Sequence, residues 1–173
     1  FAGIDAALDA GIEVKINTVI MRGLNHSQIL PLLDYASSNG VVIRFLEIMA
    51  MGHLHGKSDR HFFPQEEILT EIGKRYKFKR LQRISSSTAN YWQTEQGVKF
   101  GIVANETEPF CSDCNRLRLD SYGNIYGCLS SNEPISIRDA DKEGLIGSLQ
   151  RALQQKQSIR FTGSELSMMH IGG

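Results

Sequence analysis

All three cysteines of the chain fall in one stretch, Phe110-Cys111-Ser112-Asp113-Cys114-Asn115-Arg116-Leu117-Arg118-Leu119 and, further on, Cys128. Cys111 and Cys114 form a C-x-x-C pair. That spacing suits metal or redox chemistry better than a structural disulfide, and an odd count cannot pair fully within the chain. With Cys128 the set offers three thiolates. Structural zinc takes four ligands, so zinc here needs a remote fourth, for which His170 is a candidate. An iron–sulfur cluster can be held by three cysteines with one iron left open to another ligand. Spacing alone leaves cluster, zinc and an unliganded pair all open.

Arg116 and Arg118 stand two apart on an expected strand, so both guanidinium groups project from one face, and Leu117 and Leu119 are expected to face the core. Paired planar donors suit a phosphate chain. Two arginines on a solvated sheet edge are the plain alternative. Lys15, Asn17 and Arg44 are polar residues on strands expected to be buried and parallel. Each needs a partner in a closed core, or a ligand in a barrel lumen. Met49 reads as core, and Glu47 is expected to pair with a neighbouring basic residue. His53, His55 and His61 lie in a Gly-rich loop whose H-x-H lacks a further local ligand. Lys156 and Arg160 close the last helix, where cations suit the helix dipole.

The elements that position these residues follow from periodicity. Ile12 to Ile20 alternates, with Ile12, Val14, Ile16 and Thr18 on one side and Glu13, Lys15, Asn17 and Val19 on the other. A helix follows, with Ile29, Leu32, Leu33 and Ala36 as its apolar stripe and Gly40 as its stop. Val41 to Ile48 is a second strand, and Pro64 opens another helix. Strands and helices in alternation with short links indicate parallel βα units. Polar residues facing inward on two of them suit a barrel better than a flat sheet covered on both faces. After about residue 77 the pattern changes. Lys77 to Arg83, Ala89 to Thr94 and Val98 to Ala104 are short strands. Arg116 to Ser121 and Ile125 to Leu129 form a hairpin through Tyr122-Gly123-Asn124. A helix spans Arg138 to Lys156, and Phe161 to Gly173 is irregular. The chain thus divides at 1–78 and 79–173.

Zero net charge and 41% hydrophobic residues argue against disorder and against a general polyanion binder. No apolar run approaches the ~18 residues of a membrane-spanning helix, and no signal-peptide pattern opens the chain. A reducing cytoplasm fits the cysteines. Phe1 to Ala10 lacks an initiator Met and reads as the later part of an amphipathic helix stopped at Gly11, so the first part of the natural protein is expected to be absent.

The run PFCSDCNRLRLDSYGNIYGCL resembles the C-terminal cluster motif of the GTP 3′,8-cyclases of molybdenum cofactor biosynthesis, the MoaA family of radical S-adenosylmethionine enzymes. VKINTVIMRGLN, IRFLEIMAMG and the final MHIGG are similar to that family in the same order. The resemblance implies an α/β fold: the C-terminal part of an incomplete parallel (β/α)6 barrel, then a smaller α+β domain carrying a second Fe–S cluster. It implies a homodimeric lyase that converts GTP to (8S)-3′,8-cyclo-7,8-dihydroguanosine 5′-triphosphate through a radical drawn from S-adenosylmethionine. A cyclic pyranopterin monophosphate synthase would act on the product.

Carried over by position, Cys111, Cys114 and Cys128 would bind the second [4Fe-4S] cluster, whose open iron takes the guanine. Lys15, Arg44, Arg116, Leu117 and Arg118 would contact GTP. Asn17 and Met49 would contact S-adenosylmethionine. Gly172 and Gly173 would belong to a flexible tail needed for cyclisation. The radical-initiating C-x-x-x-C-x-x-C, ligand of a further [4Fe-4S] cluster, is nowhere in this sequence. The chain alone is therefore expected to be inactive. Ala50 stands where the family often has Pro. Two rivals are another radical enzyme with an auxiliary cluster, which usually carries more cysteines, and a zinc-containing nucleic-acid-binding module, which zero net charge disfavours.

Overall fold

A computed structural model describes residues 1–172, Ser58 and Asp59 by backbone alone; Gly173 lies outside the described residues. The chain forms two compact units that interleave along the sequence. The first comprises Phe1–Ile48 and His61–Thr107, the second Met49–Arg60 and Glu108–Gly173. The strands after residue 78 are thus shared between the units. Among the described residues no helix is long and apolar enough to cross a membrane.

In the first unit, α1 (Ala2–Asp9), β1 (Lys15–Val19), α2 (Ile29–Ser38), β2 (Val42–Leu46) and α3 (Gln65–Gly73) follow in the expected order. Three more strands join them: β3 (Phe78–Arg80), β4 (Asn90–Thr94) and β5 (Lys99–Val103). The sheet order is β1-β2-β5-β4-β3. β1, β2 and β5 run parallel, while β4 is antiparallel to both β5 and β3. The sheet is therefore mixed, with a parallel half and an antiparallel half.

Period-two alternation decides its two faces. Ile43 and Phe45 of β2, Phe100 and Ile102 of β5 and Trp92 of β4 are buried in one core with Ile29, Leu33, Ile68 and Ile72 of the helices. Trp92 stacks on Phe100 at 5.8 Å, and Phe78 meets Phe100 edge-on at 5.6 Å. The opposite face carries the polar residues. In register across it lie Asn17, Arg44, Gly101 and Tyr91. Gly101 is required there, because a Cβ would sit 2.9 Å from the Tyr91 ring and 3.1 Å from Arg44 Cγ.

Glu47 closes the far end of β2. It is 1% exposed, and its partners are not basic residues, contrary to expectation. Oε1 accepts from the Gln65 N–H at 2.9 Å and from the Thr107 hydroxyl. Oε2 accepts from the N–H groups of Glu106 and Thr107 at 2.9 and 3.1 Å. One carboxylate thereby ties the exit of β2 to the start of α3 and the segment after β5. Asp34 does similar work between helices, accepting from Arg75 at 2.6 Å and from the Tyr76 hydroxyl.

The second unit holds β6 (Arg118–Leu119), β7 (Asn124–Tyr126), β8 (Ile135–Ser136) and α4 (Lys142–Gln154). The three strands form an antiparallel sheet with β7 at its centre. The expected hairpin is β6–β7, with Gly123 at φ +80° in its turn. Asp120 organises that turn: its carboxylate accepts from the N–H groups of Tyr122 and Asn124, from the Asn124 amide and from the Tyr126 hydroxyl. Leu119 does not face a core as expected; it is 57% exposed. β6 is the sheet edge, and the central β7 takes the burial through Ile125 and Tyr126.

α4 starts at Lys142 rather than near Arg138. Asp139 sits at φ +60°, outside helical space, and the Asp141 side chain caps by accepting from Gly144 N–H at 2.8 Å. The segment after α4 is more ordered than its composition suggests. Phe161 and Ile171 are buried with Met51 and Tyr126, and Met49 and Leu129 pack against them. Ser164 anchors it, donating its N–H to the Ala50 carbonyl and accepting the Gly52 N–H on its own carbonyl.

Candidate metal and anion site

The cysteines sit on two arms of the second unit. Cys111–Asp113 form a 3-10 turn that Cys114 closes, donating its N–H to the Cys111 carbonyl at 3.2 Å. The chain then leaves as β6. The hairpin returns it through β7 to Gly127 and Cys128, as the spacing predicts. All three thiols are free, and Cys111 is within electrostatic reach of both Cys114 and Cys128. Among the described residues, no three or more His, Cys, Asp or Glu side chains are gathered closely enough to hold a metal ion. His170 does not join them. It contacts Ser167 Oγ at 3.2 Å.

The surroundings differ for each sulfur. Burial pushes the Cys111 thiol above its usual range, and the neighbouring Cys128 and Cys114 push it the same way. Burial also opposes ionisation of Cys114, but the Arg116 N–H and the Arg116 and Lys156 cations together bring it below the usual thiol range. Lys156 Nζ donates to Cys114 Sγ at 3.7 Å, and Ser130 N–H donates to Cys128 Sγ at 3.4 Å. Sulfurs that receive N–H donors in a cationic setting suit thiolate ligands. Three cysteine sulfurs are the donor type of a thiolate-bound metal group, and those of Cys114 and Cys128 already receive such N–H donors.

Arg116 and Arg118 share this setting. The Arg116 guanidinium lies over the Phe110 ring at 5.3 Å. Arg118 is pulled below the usual guanidinium range by burial and then by the Arg116 cation, while the sulfurs of Cys114 and Cys128 pull it back. The two half-buried guanidinium groups thus stand within electrostatic reach of each other and of two of the sulfurs. Arg118 Nη1 donates to the Gly172 carbonyl at 3.3 Å. Gly172 is at φ +68°, and a Cβ there would lie 2.1 Å from the Leu119 carbonyl oxygen. The buried Ile171 thus seats Gly172 directly against β6. Leu117 lies between the arginines, half-buried.

Lys15, Asn17 and Arg44 share the polar face of the first sheet. Arg44 Nε donates to Asn17 Oδ1 at 2.7 Å, and Lys15 pairs with Glu13 at 2.8 Å. Met49 packs in the core of the second unit. Two residues at this site escaped the sequence, Gln155 and Lys156. Lys156 reads as an ordinary helix-end cation, and no spacing signal links it to a cysteine 42 residues away.

Sheet, hairpin and helices define a mixed α/β chain that brings its three cysteines beside two arginines. The chain belongs to the Molybdenum Cofactor Synthesis C family, whose model matches residues 41–162. It is similar to the GTP 3′,8-cyclase of Nautilia profundicola, 40% identical over 88% of this chain and 47% of that protein. The GTP 3′,8-cyclase of Campylobacter curvus is 36% identical over the same shares of the two chains. That of Synechocystis sp. is 34% identical over 98% of this chain and 52% of the relative. The chain spans about half the length of these relatives.

Proposed function

We propose that this chain is the substrate-holding part of a GTP 3′,8-cyclase in molybdenum cofactor biosynthesis, a cytoplasmic, homodimeric radical S-adenosylmethionine lyase. The parallel strands β1, β2 and β5 with α2 and α3 are then the later βα units of an incomplete (β/α)6 barrel. The hairpin unit is the cluster domain. The observation that carries this is that the hairpin and the turn before it bring three thiols beside two arginines.

Cys111, Cys114 and Cys128 would hold the second [4Fe-4S] cluster, which when bound supplies an open iron for the guanine base. Arg116 and Arg118 take the triphosphate, in line with the cationic character of their site, and Leu117 between them lines the same contact. Lys15 and Arg44 are further GTP contacts. Asn17 and Met49 contact S-adenosylmethionine. Gly172 and Gly173 form the tail required for cyclisation, consistent with the approach of Gly172 to Arg118. The product passes to a cyclic pyranopterin monophosphate synthase. The first [4Fe-4S] cluster needs cysteines beyond the three of this chain.

Substituting Arg116 and Arg118 by Ala in the enzyme that contains this chain tests the reading. Each charge-assisted contact is worth about 1.5–3 kcal/mol, so the double variant is expected to bind GTP about 100-fold more weakly or worse. Unchanged GTP affinity in anaerobic calorimetry refutes the assignment.

A further inference from the structure

Lys156 lies two residues beyond the end of α4. Its ammonium has three N–H donors, and three acceptors converge on it. These are Cys114 Sγ at 3.7 Å, the Gly127 carbonyl at 3.1 Å and the Arg116 carbonyl. Arg116 follows Cys114 by two residues, and Gly127 immediately precedes Cys128. One cation therefore ties the two arms that carry the cysteines.

The charge environment of Lys156 is unusual. No carboxylate lies within ion-pair distance of it among the described residues. A half-buried ammonium is costly without negative surroundings, and here two carbonyls and a cysteine sulfur are what it has. Three thiolates around a metal group would complete them.

The neighbouring backbone is built to the same end. Gln155 Oε1 accepts the Gly127 N–H at 2.9 Å, and its Nε2 donates to the Glu133 carbonyl at 2.8 Å. A Cβ on Gly127 would lie 1.7 Å from the Ala152 carbonyl oxygen. The end of α4 is thus seated directly on the Cys128 arm, leaving Lys156 to reach across to the Cys114 arm.

We propose that Lys156 is a positioning residue for the metal group held by Cys111, Cys114 and Cys128, fixing the spacing of the two cysteine arms and offsetting the charge of the ligands. This rests on the cluster assignment above. Hydrogen bonds and charges around ligand sulfurs set both the retention and the electronic character of such groups.

The test uses the whole chain, loaded anaerobically with ferrous iron and sulfide, as wild type, K156M, K156R and R160M. Iron and zinc are counted by mass spectrometry, metal release to a chelator is timed, and the reduced cluster is read by electron paramagnetic resonance. K156M is expected to release metal about tenfold faster or more, with an altered resonance. R160M removes the same charge from an exposed position and is expected to match wild type. K156R is expected to fall between, since a planar guanidinium cannot aim three donors at three converging acceptors.

Wild-type release and resonance in K156M overturn the proposal. Should K156M lack the wild-type circular dichroism, K156R decides: faster release supports the proposal, wild-type behaviour overturns it. Zinc in place of iron in the wild type overturns the cluster assignment, while the release ratio still judges Lys156. A wild-type chain that holds neither metal overturns both.

Discussion

Glu47→Gln isolates the one carboxylate on which three segments of the first unit converge. Four donors reach it, two on each oxygen. Glutamine keeps the shape but offers one acceptor oxygen and one NH2. With the NH2 toward Gln65, that N–H loses its acceptor, while the Thr107 hydroxyl can rotate to accept. The other flip turns the NH2 against two backbone donors, so the first is preferred. One orphaned, partly buried N–H costs about 1–3 kcal/mol, and the remaining bonds weaken from charge-assisted to neutral. Relief from burying a charge offsets part of this. The net expected loss is about 2–4 kcal/mol. Glu47→Leu leaves all four donors without an acceptor and is expected to cost clearly more. Urea unfolding of both variants, followed by circular dichroism, reads the difference. A Glu47→Gln variant within about 0.5 kcal/mol of wild type, or equal costs for Gln and Leu, refutes the reasoning.

Gly127→Ala drives a methyl into the Ala152 carbonyl. It is expected to destabilise the chain by about 3 kcal/mol, seen as a lowered melting temperature; an unchanged melting temperature contradicts the packing of α4 on the Cys128 arm. Asp120 gives a pH signature. Burial raises its pKa, but hydrogen bonds from Asn124, Tyr122 and Tyr126 outweigh that and hold it below the usual carboxylate value. A lowered folded pKa means that its stabilisation is fully present above the unfolded value of about 3.9. That stabilisation is lost as pH falls through the folded one. The stability gap between wild type and Asp120→Asn is therefore expected to be constant from about pH 5 to 7 and to shrink in acid. A gap that grows on acidification contradicts it.

What could be read from the sequence was whatever local periodicity and turn chemistry control. Alternation located β1 and β2 and put Lys15, Asn17 and Arg44 on one face. Gly123 located the hairpin that returns Cys128 toward Cys114. The partners of Glu47 were not legible, because Glu106 and Thr107 lie about 60 residues away and backbone donors leave no mark in side-chain types. Leu119 misled because alternation tells which residues share a face, not whether an edge strand is covered. β8 has two residues, too few for any period. Lys156 was invisible for a related reason: a cation at a helix end is ordinary until the fold shows what stands beside it.

That Cys111, Cys114 and Cys128 hold a cluster beside paired arginines, as proposed, is tested most directly by iron, sulfide and zinc analysis of the anaerobically reconstituted chain. About four iron and four sulfide per chain, lost together in the triple Cys→Ser variant, is the expected result. One tightly held zinc, with no sulfide and no visible absorption, would contradict it.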